Sequence, residues 1–406
     1  MYLTFAWRYF KAKKSANAIN IIAWVTTAVI AFATCCQVLV LSVFNGFEDL
    51  VKSLYSSFYT DLRIVPATGK TFIITPAQLA VIRQQSYLQG ISMIVQEKAL
   101  LQNGESQTVV NLKGVDDNYP NVSGVAGKVT NGTFQTGTAD DPELVVGYGL
   151  QSAAGISVNP AFAPEQLTLI LPKKNSNSSD PTASISEGNA VAKAVFTIQQ
   201  DFDNNYAITN VDFIKQQMGL AENEFTAAEI KLKFGQDLEE SQDLLQKMMG
   251  AGYNVQTRFQ QNMSLYNTMR LEKWAIYAVL TLILIIAAFN MVSALTMLVL
   301  EKKKDISIIQ SMGGSQSLIQ KIFLSEGLLL GFIGAASGIM LAVIICALQI
   351  KFKIIKLQGG SFLIDYFPVK LVPSDFVLVA GTAAAIALLA SLVPAVKASN
   401  QTIELR

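Results

Sequence analysis

Few side chains in this sequence could do covalent chemistry. Histidine is absent, which removes the commonest general base and the commonest metal ligand together. The three cysteines, Cys35, Cys36 and Cys346, all fall in apolar runs, so neither a zinc site nor a thiol nucleophile is expected. Serines and aspartates are scattered, with no base to link them into a triad. No GxxxxGK[ST] loop is present, because Gly124 and Gly127-Lys128 have the wrong spacing to cradle phosphates. The expectation is a chain that is not an enzyme, with any ATP hydrolysed elsewhere.

What remains points to contacts. The segment EKKKDISIIQSMGGSQSLIQKIF begins at Glu301 with charge, continues as an amphipathic turn and breaks at Gly313-Gly314. Such a short helix can dock in a groove on a soluble partner, with Ile306, Ile308 and Ile309 as apolar contacts and Glu301 and Asp305 as polar ones. A simple positive-inside anchor is the alternative. Gly327, Gly331, Gly334 and Gly338 form a stripe at four-residue and three-residue spacing. Such a stripe lets a neighbouring helix come close where lipid offers no hydrophobic drive, and the neighbour could belong to this chain or to a second subunit. Glu326, one turn into the same run, is read as snorkelling to the interface. FAWRYFKAKK, residues 5–14, mixes aromatics with Arg and Lys in the manner of an interfacial helix. Residues 173–190, KKNSNSSDPTASISEGNA, read as a solvated loop or a docking arm.

The elements that position these residues are mostly in the membrane. Of 406 residues, 51% are hydrophobic and 15% charged, outside ordinary soluble composition. A formal net charge of +1 gives no basic field for a nucleic acid. Four windows, residues 21–43, 274–300, 327–350 and 376–396, stay free of charge long enough to cross a hydrocarbon core of about 30 Å. The first is too long for a signal peptide and lacks a cleavage site after it, so it is read as retained. Arg8, Lys11, Lys13 and Lys14 before the first window, and Lys302, Lys303, Lys304 and Lys321 between the second and third, place both termini in the cytoplasm. Lys351, Lys353, Lys356 and Lys370 run against that count.

The expected layout is an α-helical membrane protein with four transmembrane helices and a large α+β domain between the first two. An interfacial helix over 1–18 precedes spans over 19–46, 274–300, 322–350 and 376–396. The inserted domain occupies 47–273, a cytoplasmic loop 301–321, an outer loop 351–375 and a tail 397–406. Within the domain, strands are expected over 92–101 and 106–113 about an Asn103-Gly104 turn, and over 143–147, 167–171, 191–199 and 229–234. Helices are expected over 75–84, 212–218 and 237–249, and residues 254–270 are expected to run as helix into the second span. Thr75 before Pro76 is a capped helix start.

LSVFNGFEDL at 41–50, NMVSALTMLVLEKKKDISIIQSMGG at 290–314 and LVPAVKASNQTIELR at 392–406 resemble the lipoprotein-releasing (Lol) ABC-transporter permease family, within the macrolide-exporter-like permease superfamily. The resemblance covers the whole chain. It implies two permease subunits, as two copies or a copy with a paralogue, and two ATPase subunits that hold ATP and Mg, in the inner membrane of a Gram-negative cell. This chain itself would hold no cofactor. The substrate implied is a triacylated lipoprotein, lifted from the membrane lipid and passed to a periplasmic carrier. By the same resemblance Glu301 to Gly313 form a coupling helix on the ATPase, with Glu301, Lys303, Asp305, Ile306, Ile309 and Gly313 as contacts. An acyl-chain cavity would use Val40, Val43, Phe44 and Phe47, then Leu265 and Met269, then Tyr366 and Phe367. A carrier-docking hairpin would fall at 171–190. The competing readings are a macrolide-exporter-like efflux permease, a mechanotransmitting permease that controls a periplasmic partner, and a membrane-anchored binding protein.

Overall fold

A computed structural model describes residues 17–158, 165–174, 184–357 and 366–401. The interfacial helix expected over 1–18 falls almost wholly outside these residues. The chain divides into two compact units, residues 51–266 and the combination of 1–50 with 267–406.

Helix α1, Asn17–Phe58, begins as an apolar run in which Thr26 and Thr27 donate their hydroxyls to the Ile22 and Ala23 carbonyls, so the polar groups are satisfied within the helix. It does not stop near residue 46 as the hydropathy suggests. Val51, Tyr55 and Phe58 continue an apolar face that packs in the core of the inserted domain, and this burial carries the helix past the end of the apolar run.

The inserted domain is α+β. Its strands are β1 Leu62–Pro66, β2 Phe72–Ile73, β3 Leu88–Asn103, β4 Ser106–Val115, β5 Val129–Gly132, β6 Glu143–Gly147, β7 Gln166–Pro172, β8 Ile185–Phe196, β9 Tyr206–Asn210, β10 Glu224–Phe225, β11 Ala227–Leu232 and β12 Tyr253–Thr257. Among the described residues ten of them form one sheet in the order β12-β1-β11-β3-β4-β9-β6-β8-β5, with β7 pairing β3 and β8. Its three longest helices among the described residues are α2 Pro76–Arg83, α3 Val211–Met218 and α4 Leu238–Met249. The Thr75 hydroxyl accepts from the Gln78 amide while Gln78 Oε1 accepts from the Thr75 amide at 2.9 Å, a capping box with Pro76 in the first turn.

Three local expectations are corrected. Asn103 pairs with Ser106, so the hairpin turn is Gly104-Glu105, one residue later than expected. Gly104 takes the positive φ of 56° that the first turn position requires. Residues 185–190 are strand, because Ile185 to Val191 pair residue by residue with Pro172 to Gln166; residues 175–183 lie outside the described residues. Residues 253–257 are also strand, bonded to β1, so the expected long helix starts at Met263 instead.

Beneath Phe58 the domain buries a charge pair. The Lys113 ammonium lies 2.8 Å from the Glu229 carboxylate, both side chains almost fully enclosed, and 3.0 Å from the Tyr119 hydroxyl. It also stands over the rings of Phe58 and Tyr119 at 4.7 and 4.8 Å. Burial alone would lower the Lys113 pKa, but Glu229 and Tyr119 outweigh it and hold the ammonium above its ordinary range.

The second unit, residues 1–50 with 267–406, holds most of the length of the chain's apolar helices. After α1 these are α5 Met263–Glu301, the short α6 Lys303–Ser311, α7 Gln316–Phe352 and α8 Pro373–Ser399. Among the described residues α1, α5, α7 and α8 are long and apolar enough to cross a membrane. Ile30 and Ala33 of α1 pack with Leu284, Met291, Leu330 and Ala387 of the other three in one core. The glycine stripe sets the spacing. A Cβ on Gly327 or Gly331 would stand 2.4 Å from the Cβ of Ser391 or Ala387 on α8. On Gly334 it would meet Ile30 at 2.9 Å, and on Gly338 the Ala31 carbonyl oxygen at 2.3 Å, both on α1. One helix thus packs its two neighbours inside this chain by absence of side chain. Glu326, expected to snorkel, is instead 4% exposed, with one carboxylate oxygen unpartnered.

Candidate functional site

The segment LSVFNGFEDL lies on α1 and presents two interleaved faces at helical spacing. Ser42, Asn45 and Gly46 are buried, and with Asp49 they receive the chain that leads into α8. The Lys370 amide donates to the Ser42 carbonyl at 3.0 Å, and the Lys370 ammonium pairs with Asp49. The Pro368 carbonyl runs so close to Gly46 that a Cβ there would sit 2.3 Å from its oxygen. Gln349, near the end of α7, holds the same strap. Its amide donates to the carbonyls of Ile355 and Phe367 at 3.0 and 3.1 Å and accepts from the Ile355 amide at 2.9 Å.

Beside this contact three helices meet through polar side chains. The Asn45 amide donates to Asp375 Oδ2 at 2.6 Å. The Lys273 ammonium donates to Asn45 Oδ1 at 2.9 Å and to both Asp375 oxygens at 3.3 Å. Asp375 lies in the first turn of α8 and is 9% exposed. The sequence reading missed Asn45, Gly46, Lys273, Gln349 and Asp375. A signal was present: Lys273 and Asp375 are the charges that border two apolar runs, where an ionisable residue needs a partner.

The expected cavity residues fall in three places. Val40, Val43, Phe44 and Phe47 share the other face of α1 and keep some exposure, 39% for Val40. Phe47 meets Phe367 of the strap edge to face at 5.8 Å, and Tyr366 sits 4.0 Å beneath the Lys353 ammonium. Met269 is half-buried on α5. Leu265 departs from the expectation, because it packs against the inserted domain's aromatic cluster of Tyr55, Phe58 and Phe202.

The expected coupling residues lie on and beside α6. Glu301 ends α5 and is exposed, Lys303 and Asp305 are half-exposed, and Lys302 pairs with Asp305 at 3.2 Å. Ile306 is a correction: it is 2% exposed and packs with Val299, Ile319, Phe323 and Ala395, so it anchors α6 and offers no outward contact. Ile309 packs against the same cluster, while Ile308 and Met312 point outward at 58% and 82% exposure. Gly313, at φ 88°, ends the helix in a conformation that L side chains rarely adopt.

Residues 277–403 match the family model of the FtsX-like permease C-terminal region. The chain is 25% identical over 405 residues to the lipoprotein-releasing system transmembrane protein LolC of Neisseria meningitidis serogroup B, covering 97% of this chain and 95% of that protein. It is also 25% identical over 410 residues to the LolE protein of Haemophilus influenzae, covering 97% and 96%. A crystal structure of the periplasmic region of MacB from Actinobacillus actinomycetemcomitans aligns with 54% of this chain and 98% of that one at 13% identity, with a TM-score of 0.36. Residues 277–403, which hold most of α5 together with α6, α7 and α8, are thus similar to the C-terminal region of FtsX-like permeases. Along 97% of its length the chain is similar to lipoprotein-releasing system transmembrane proteins.

Proposed function

We propose that this chain is the transmembrane permease subunit of an ABC transporter that extracts lipoproteins from the inner membrane and passes them to a periplasmic carrier. The observation that carries this reading is similarity across 97% of the chain to both LolC and LolE. ATP, with Mg, is bound and hydrolysed on a separate ATPase subunit, a second permease copy or paralogue completes the transporter, and the inserted domain faces the periplasm with both termini cytoplasmic.

Burial of an acyl chain is worth about 0.8 kcal/mol per CH₂, so moving three chains through water would cost on the order of tens of kcal/mol. An apolar cleft lined by Val40, Val43, Phe44 and Phe47 on α1, Met269 on α5 and Tyr366 and Phe367 on the strap shelters them. Loss of that cleft's volume when the ATPase closes expels them, with no covalent step. Coupling runs through α6, with Glu301, Lys303 and Asp305 as polar contacts and Ile308 and Met312 as the apolar ones. Residues 171–190, which include the ends of β7 and β8, are the proposed carrier contact.

Two variants separate contact from packing on α6. Ile308→Glu is expected to leave the amount of protein unchanged while lowering stimulated ATP turnover on the order of tenfold, measured on purified complex. Ile306→Glu, which buries a charge, is expected to deplete the protein from the membrane. Gly46→Ala tests the strap. Its methyl would push Pro368 away at a cost of about 1–3 kcal/mol, and lipoprotein release is expected to fall while ATP hydrolysis persists.

The reading as a whole is tested by purifying the tagged chain from its native membrane in mild detergent and scoring co-purifying proteins and lipid-modified peptides by mass spectrometry. Recovery of an ATPase with triacylated lipoproteins supports it. An ATPase without lipoproteins points to efflux or mechanotransmission.

A further inference from the structure

Enclosed cations of the inserted domain have carboxylates set against them. Lys113 pairs with Glu229 at 2.8 Å, Arg258 with Asp61 at 2.6 Å and Lys215 with Asp212 at 3.6 Å. Arg63 on β1 breaks this pattern. It is half-buried, yet among the described residues its guanidinium donates only to the neutral Gln96 Oε1, at 3.3 Å, and its Nε is enclosed without an acceptor. Holding a cation partly away from water with no counter-charge costs free energy, which an incoming anion would offset.

Arg63 borders a notch that the sheet itself creates. Strand β11 begins at Ala227, opposite Ile94 of β3, so β1 and β3 run on beyond it as Val65-Pro66 and Gln96 to Lys98. The hollow there has a volume of about 380 Å³ and takes in Arg63, Lys70 and Lys98 against the single carboxylate of Glu97. Lys70 already pairs with Glu97 at 3.3 Å. Lys98 is exposed, and its ammonium has no acidic partner among the described residues. A lipid tail would find only Val65 and Pro66 in the lining to cover it. Lys98 follows Gln96, the partner of Arg63, by two residues on one face of β3, about 7 Å along the strand. Two cations at that separation match carboxylates on alternate residues of an extended chain, where a single phosphate would engage one of them.

We propose that this notch binds an acidic stretch of the lipoprotein's own polypeptide, with Arg63 and Lys98 as its contacts. The proposal rests on the lipoprotein-release reading for the source of the peptide and on the notch alone for its charge. Recognition of this kind is separate from shelter of the acyl chains, so it sorts lipoproteins by the sequence that follows the acylated end.

The test measures fluorescence anisotropy of short labelled peptides on the complete transporter in detergent. A peptide of alternating Asp and Ser is expected to bind about tenfold more tightly than one of alternating Asn and Ser at low salt, with the advantage fading at high salt. Arg63→Gln and Lys98→Ala are each expected to weaken the acidic peptide about tenfold, while Lys128→Ala, outside the notch, leaves it unchanged. Arg63→Gln should unfold at or above the temperature of the parent protein, because it removes a charge without a counter-charge; a loss of binding through misfolding would lower it. Equal binding of the two peptides, or inorganic phosphate competing as well as the acidic peptide does, would overturn the proposal. In a release assay with two lipoproteins that differ only in the carboxylates after the acylated end, the neutral one is expected to show a KM about tenfold higher at the same kcat, and equal KM values would equally overturn it. If neither lipoprotein is released at all, the release reading has failed, and the peptide measurements still decide the notch.

Discussion

Gly338→Leu is expected to remove nearly all of the protein from the membrane. A Cβ at this position would stand 2.3 Å from the Ala31 carbonyl oxygen and 3.0 Å from the Thr34 Cβ. The obstacle is backbone of α1, which cannot swing aside as a flexible side chain would. Overpacking costs about 1–3 kcal/mol for added methylenes in a well-filled core, and leucine adds a whole branched side chain. Helix association in lipid depends on close packing because there is no hydrophobic drive to replace it. Gly381→Leu on α8 is the matched control, since nothing lies within 4 Å of its Cβ position. Quantifying tagged protein in washed membranes, followed by thermal aggregation in detergent, checks the pair. Equal accumulation of both variants would contradict the packing account.

Lys113→Met should destabilise the inserted domain by about 3–5 kcal/mol, because Glu229 is left enclosed without its counter-charge. Glu229 is 2% exposed, so water cannot replace the ammonium. The double variant Lys113→Met with Glu229→Met is expected to recover most of the loss, since two apolar side chains of similar size remove both charges together. Denaturant unfolding of the purified chain, read by the aromatic signal around Phe58 and Tyr59, measures all three. A double variant no better than Lys113→Met would show that the pair itself, and not the stranded carboxylate, stabilises the domain.

Much of the architecture was legible because the membrane imposes a crude rule. Charge-free runs of the right length mark α1, α5, α7 and α8, and inside the domain Thr75-Pro76 and the period-two pattern of β7 mark local elements well. The failures have physical causes. Polar composition at 185–190 reads as loop, but the strand's bonds are backbone bonds to β7, to which composition is blind. The end of α1 was placed near residue 46 because hydropathy falls there, whereas Tyr55 and Phe58 extend the helix by packing against Phe202 and Tyr206.

The site was half legible. LSVFNGFEDL stood out through the family resemblance, and Val40, Val43, Phe44 and Phe47, the residues that resemblance favours, share one face of α1. Its other face could not be read from one segment, because Asn45 finds its partners at Lys273 and Asp375, distant in sequence. The lysines that ran against the charge count make sense in that light. Lys370 is paired with Asp49 and Lys353 stands over Tyr366, so each has local work on the strap. Ile306 was misassigned for a similar reason: helical spacing groups it with Ile309 and sets Ile308 apart, but only the packing partners at Val299 and Ile319 tell which side faces inward.

Reconstitution tests the central claim most directly. The chain, with the permease and ATPase subunits that co-purify with it, is placed in vesicles carrying a fluorescent triacylated lipoprotein, and ATP is added with a soluble lipoprotein carrier outside. The account predicts ATP-dependent transfer of the lipoprotein to the soluble fraction, lost when Phe44 and Phe367 are replaced by Asp. Steady ATP hydrolysis with every lipoprotein still in the vesicles would contradict it.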